Sequence, residues 1–113
     1  MIRGEIWWAN FGIPYGSEPG FDRPVVIIQN DQINKSKINT TIVIPLTTNL
    51  LLEEATGNVY LDKEETGLPK NSVAVVSQIS VLDKKRLVRF QSTIQYHSLL
   101  QIEDGIKVIL QLP

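Results

Sequence analysis

No cysteine occurs among the 113 residues, and there is one histidine, His97. Disulfides, thiolate metal ligands and a Cys nucleophile are excluded together, and so is a His-rich metal cluster. Carboxylate-only metal sites show no motif, so no metal and no cofactor is expected. No stretch approaches the ~18 apolar residues of a membrane span. Met1-Ile2-Arg3-Gly4-Glu5 is followed by no long apolar run, which argues against a signal peptide, and the cytoplasm is the expected location. An excess of one charge is missing too: 11 Lys and Arg face 12 Asp and Glu, for a formal charge of -1. That excludes a histone-like polycation but not a local basic site. With 42% apolar and 20% charged residues the composition is that of a folded protein. The length fits one domain, residues 1–113, and excludes a two-domain enzyme with a separate cofactor module.

The pattern that is present is mostly β. Glu5 to Phe11 reads as a strand apolar on both faces, with Trp7, Ala9 and Phe11 on one side and Ile6 and Trp8 on the other. Gly12 to Asp22, with three glycines and two prolines, is a loop. It is longer than the usual hairpin connection of about 2 to 5 residues, and long loops tend to carry function. Pro24–Gln29 and Thr40–Leu46 are β-branched runs that read as buried strands, and Pro45 predicts fraying or an edge at the end of the second. Asn58–Leu61, Ser72–Ile79 and Leu87–Phe90 read as further strands, with one helical turn expected at Asp83–Arg86. From Tyr96 the apolar period changes to that of an amphipathic helix, and Gly105 sits inside it at a cost of about 1 kcal/mol relative to Ala. Short strands followed by one helix predict a mainly β (α+β) fold, a small curved antiparallel sheet or barrel with a C-terminal α-helix.

Candidate chemistry is sparse. Arg23, held extended by Pro24 at the mouth of a strand, suits bidentate contact with phosphate; an ion pair with Asp22 or Glu18 is the ordinary alternative. Thr47 and Thr48 lie just past a strand, where sites gather, although threonine is common there anyway. Glu18 sits in Gly16-Ser17-Glu18-Pro19-Gly20, which lacks the Gly-Lys-Ser/Thr of a phosphate-binding loop. Trp7 and Trp8 can stack bases but suit a core or interface better. Lys84-Lys85-Arg86 with Arg89 is the densest basic group and reads first as a solvated turn.

In order, these segments are more specific than any one of them. Arg3-Gly4-Glu5-Ile6-Trp7-Trp8-Ala9, Gly16-Ser17-Glu18-Pro19-Gly20, Arg23-Pro24-Val25-Val26-Ile27-Ile28-Gln29-Asn30-Asp31, Ile44-Pro45-Leu46-Thr47-Thr48-Asn49, Gly57-Asn58-Val59 and Ser72 to Leu87 together resemble the MazF/PemK (Kid) toxins of toxin–antitoxin pairs. The resemblance covers nearly the whole chain. It implies an SH3-like barrel with a C-terminal helix, working as a homodimer. It implies a metal-independent, sequence-specific endoribonuclease for single-stranded RNA, inhibited through an acidic segment of a cognate antitoxin. It maps catalytic roles onto Arg23, Thr47 and Glu18, and substrate contacts onto Ser17, Thr48, Trp8, Tyr15 and Gln78. Pro19 stands where the family commonly has Gln, a departure that bears on Glu18. The competing expectation is a non-catalytic toxin that poisons DNA gyrase, like the CcdB proteins. Those are expected to act through a Trp near the C-terminus, and this chain ends Gln111-Leu112-Pro113.

Overall fold

The computed structural model describes residues 1–18 and 20–113. Its elements are β1 (Glu5–Asn10), β2 (Asp22–Ile27), α1 (Asp31–Asn34), β3 (Thr40–Thr47), β4 (Val59–Leu61), α2 (Lys63–Thr66), β5 (Ser72–Ala74), β6 (Ser80–Asp83), β7 (Leu87–Thr93) and α3 (Tyr96–Leu110), with 3-10 turns at Leu50–Glu54, Val76–Gln78 and Lys84–Arg86. The sheet runs β4-β5-β3-β2-β1-β7, with β6 also on β3, and every pairing is antiparallel. The expected class is therefore what is observed.

Two apolar layers explain why β1 carries adjacent tryptophans. Ile6 belongs to the larger core with Val26, Ile44, Leu46, Leu61, Ala74 and Val76, and Leu99 and Ile102 of α3 close over it; Trp8 packs at its margin. Ala9 belongs to a second cluster with Val25, Ile27, Val43 and Leu82, against which Trp7 and Phe11 pack. Strand alternation sends neighbouring residues to these opposite faces, as read from the sequence. Trp7 also meets Phe90 edge-on, with centroids 5.9 Å apart.

Pro45 departs from expectation. It is neither frayed nor at an edge: it is buried inside β3. Residues 40–43 of β3 pair with β6, whereas Leu46 and Thr47 pair with β5. Pro45 falls at that change of partner, where a missing N–H costs no ladder bond, and its carbonyl accepts from the Val75 amide at 3.0 Å. The single strand expected over Ser72–Ile79 is likewise divided. Asn58 Oδ1 accepts from the Val76 amide at 3.0 Å, which takes that amide out of the ladder, and a 3-10 turn leads into β6. The last strand reaches Thr93 rather than Phe90, because Ser92 and Thr93 find partners in Ile6 and Glu5. The segments 32–39 and 62–71 each contribute to one short helical turn, α1 and α2.

The sheet does not close on itself, yet its free edges are tied. Ser92 Oγ donates to the Thr66 carbonyl, Gln91 Nε2 to the Gly67 carbonyl, and the Gln95 amide to Glu65. These bonds join β7 to the α2 segment beyond β4. On the other side, Asn34 anchors a buried polar knot: its side chain accepts from Gln29 and Thr41, each at 2.9 Å, and its carbonyl accepts from Lys84 Nζ. Gly105 of α3 packs on Gly57, whose φ is +84°. A Cβ on Gly105 would overlap the Gly57 carbonyl oxygen, so the helix-interior glycine is explained by contact.

Candidate active site

The β2–β3 ladder ends at the pair Val25–Pro45, and Arg23 and Thr47 each lie two residues beyond that end, Arg23 still paired with Ala9 of β1 and Thr47 with Val73 of β5. Strand parity puts both side chains on the face of Val25 and Pro45. Pro24, aligned with Trp8 of β1, points to the other face. Arg23 is half-buried, and among the described residues its guanidinium makes no hydrogen bond or ion pair. The ordinary alternative, pairing with Asp22 or Glu18, is not realised. Thr47 ends β3 opposite Val73 of β5, and its hydroxyl accepts from the Asn49 amide at 3.2 Å. The result, among the described residues, is a cation with all its donors available and, on the neighbouring strand, a hydroxyl of fixed position.

The loop between β1 and β2 is pinned at its base, where Phe11 donates to the Phe21 carbonyl and Phe21 to the Gly12 carbonyl. Its tip makes a turn in which the Glu18 amide donates to the Tyr15 carbonyl at 3.1 Å. Ser17 and Glu18, both exposed, share a cleft of about 410 Å³ with Ser77, Gln78, Ile79 and Ser80. Gln78 Nε2 lies 3.4 Å from the Ser17 carbonyl, while Gln78 Oε1 and Ser80 Oγ are buried without a hydrogen-bond partner among the described residues. Such atoms cost about 1–3 kcal/mol each unless a ligand or water meets them. Pro19 lies outside the described residues.

The structure therefore puts Arg23 and Thr47 at the same end of the β2–β3 ladder, and brings Ser17 and Glu18 together with Gln78. Trp8 and Thr48 meet elsewhere, in a small apolar cleft with Pro24, Leu68, Pro69, Lys70 and Ser72. Tyr15 is not gathered into either cleft; it stands 85% exposed on the loop beside the 89%-exposed Ile13. Sequence reasoning passed over Ser77 and Ser80. Their only signal is a polar alternation inside the apolar run from Val73 to Leu82. The basic group proves partly structural, since Arg86 donates to the Asn10 carbonyl and the Arg89 guanidinium lies 4.9 Å from the centroid of the Trp8 ring. Among the described residues no group of three or more His, Cys, Asp or Glu is placed to hold a metal, and no helix is long and apolar enough to cross a membrane. Tyr60, well away in sequence, has its pKa raised, first by partial burial and then by the charges of Asp62 and Glu53.

A curved antiparallel sheet capped by one terminal helix, with an Arg near the start of β2 that is unpaired among the described residues and a Thr at the end of β3, defines the class by its fold. Residues 2–110 match the family described as PemK-like, MazF-like toxin of type II toxin-antitoxin system, and the chain belongs to that family. It is 36% identical over 112 residues to the endoribonuclease MazF2 of Mycobacterium bovis, covering 99% of this chain and 98% of that one. It is 34% identical over 110 residues to the endoribonuclease MazF of Staphylococcus epidermidis, covering 97% and 91%. Its fold matches, at a TM-score of 0.80 and 19% identity, a mycobacterial endoribonuclease solved in complex with its cognate antitoxin, covering 100% of this chain and 97% of that chain.

Proposed function

We propose that this protein is the toxin of a toxin–antitoxin pair and a sequence-specific endoribonuclease that cleaves single-stranded RNA. The observation that carries the reading is the Arg23 guanidinium, unpaired among the described residues and lying, like Thr47, two residues past the end of the β2–β3 ladder, in a chain of this family. RNA brings its own nucleophile, so the absence of cysteine is no obstacle. The 2′-oxygen attacks the adjacent phosphorus, the bond from phosphorus to the 5′-oxygen breaks, and the products are a 2′,3′-cyclic phosphate and a 5′-hydroxyl end. Charge builds on the non-bridging oxygens, and Arg23 donors with the Thr47 hydroxyl stabilise it. Arginine, with a pKa above ~12, is a poor proton acceptor. That role falls to Glu18, on the loop that leads into β2; the leaving 5′-oxygen takes its proton from water. Ser17, Thr48, Trp8, Tyr15 and Gln78 contact the strand around this centre, its unstacked bases lying against aromatic and polar side chains.

The remaining parts of the reading follow the same family. Residues 1–113 act as one toxin domain in the cytoplasm, without metal or cofactor, as a homodimer. An acidic segment of the antitoxin covers the basic site. Large apolar side chains left in solvent, among them Leu51, Val88 and Tyr96, support burial against other chains. The gyrase-poison alternative is not favoured, since the curated relatives are named as endoribonucleases.

Incubation of the purified protein with single-stranded RNA in EDTA tests the proposal. Cleavage to cyclic-phosphate ends is expected. Arg23→Ala and Thr47→Ala should each lower kcat by roughly 10²–10³, the magnitude for losing one preorganised donor. Glu18→Gln, which keeps the shape but cannot accept a proton, should lower kcat by roughly 10²–10⁴. An inactive wild type, or alanine variants that cut as fast, defeats the reading.

A further inference from the structure

We propose that Asn58 is a positioning residue for Thr47: one end of its side chain clasps the turn that holds the Thr47 hydroxyl, and the other end clasps the turn that carries Gln78. The inference rests on the nuclease reading above and adds to it the means by which one of its groups is oriented. The hydroxyl comes first. Thr47 Oγ1 accepts from the Asn49 amide at 3.2 Å. A hydroxyl has one proton and two acceptor sites. A fixed donor at one acceptor site turns the proton away from Asn49 and leaves it for an oxygen of the substrate. The Asn49 amide is fixed in turn. Asn49 caps the 3-10 turn Leu50–Glu54, its Oδ1 accepting from the Leu51 amide at 3.2 Å and its carbonyl from the Leu52 amide at 3.1 Å.

That turn contains no buried residue, so hydrogen bonds rather than packing hold it. The side-chain bond that reaches it from beyond its end is Asn58 Nδ2 donating to the Leu52 carbonyl at 2.9 Å. Asn58 is itself anchored. It is half-buried, its amide donates to the Ala55 carbonyl at 3.1 Å, and Gly57 before it lies against Gly105 of α3. Its Oδ1 accepts from the Val76 amide at 3.0 Å, at the start of the 3-10 turn Val76–Gln78. One side-chain amide thus ties the Thr47 turn and the Gln78 turn to a segment braced by the helix. Orientation of this kind matters, because misplacing a reacting group by about 1 Å can cost roughly a hundredfold in rate.

The experiment is single-turnover cleavage of one RNA by the full chain carrying Asn58→Asp or Asn49→Ala, each alone and combined with Thr47→Ala. N58D keeps the shape and the acceptor for Val76 but has no donor for Leu52. Asn49 is exposed, so N49A breaks the other end of the chain of bonds without touching the interior. Each should lower the saturating rate about fivefold or more, with the half-saturating RNA concentration unchanged within about twofold. Added to Thr47→Ala, neither should lower the rate further, because a residue that acts through Thr47 has nothing left to act on. Added to Gln78→Ala, the full loss should remain. A clasp that serves folding alone would lower the urea midpoint and leave the rate of the folded protein unchanged, and that result overturns the proposal. So does a loss that persists in full beside Thr47→Ala. A rise in the half-saturating concentration with the rate intact would make Asn58 a direct RNA contact and overturns it too. If N58D does not fold, N49A and its pairing with Thr47→Ala decide alone. No cleavage by the wild type defeats the nuclease reading, and the positioning role with it.

Discussion

Arg23 shows what a single residue contributes beyond charge. Its planar fork offers paired donors, and the absence of an internal acceptor among the described residues leaves them unpaired, as the proposed phosphate contact requires. Arg23→Lys keeps the charge but loses the fork. The variant is expected to bind RNA within a few-fold of wild type while kcat falls at least tenfold, measured by single-turnover cleavage. This residue was legible in the sequence because Pro24 announces its backbone and the family segments flank it. Its freedom was not legible, because Asp22 and Glu18 are close enough in sequence to pair with it and only the fold shows that they do not. Ser77 and Ser80 were hidden for a related reason. A strand-like run of Val and Ile disguises a 3-10 turn whose cause, the Asn58 side chain, lies eighteen residues upstream.

At the scale of elements, α3 and β1 could be read directly, since their periods of 3.6 and 2 survive into the structure as buried faces. The helix runs Tyr96–Leu110, as its pattern predicts. What periodicity could not supply was the reason for Gly105. Helix propensity alone favours alanine there by about 1 kcal/mol, but contact with the Gly57 carbonyl reverses the sign. Gly105→Ala is expected to destabilise the protein by about 1–3 kcal/mol, the range for overpacking, read as a lower midpoint in urea with an unchanged slope. A stabilised variant would refute the close approach. Division of the Ser72–Ile79 strand and the change of partner at Pro45 were also beyond pattern reading, because both are settled by tertiary hydrogen bonds to residues remote in sequence.

For the whole molecule, net charge near zero conceals a division of labour. Residues 53–71 hold five acidic groups and two basic, whereas residues 72–113 hold five basic and three acidic. The acidic part is placed on one side: Glu53 and Asp104 line one groove, Asp62, Glu64 and Glu65 the next, and Tyr60 and Gln101 border both. On the proposed nuclease reading, repulsion of phosphate from these grooves and attraction at Arg23 steer one strand to one path. With about three phosphate contacts, log K for single-stranded RNA should fall with log salt at a slope near -2. A slope implying six or more released counterions would show that the strand is held by a much wider basic surface.

The divided pairing of β3 has a consequence for how the toxin can be silenced. Arg23 is held by the ladder to β1, while Thr47 is held by two pairs to the three-residue β5. Local opening of β4 and β5 would cast Thr47 loose while β1, β2 and the first half of β3 stayed folded. Such sub-global opening costs less than complete unfolding. A partner that captured such an opened form would displace Thr47 without touching Arg23.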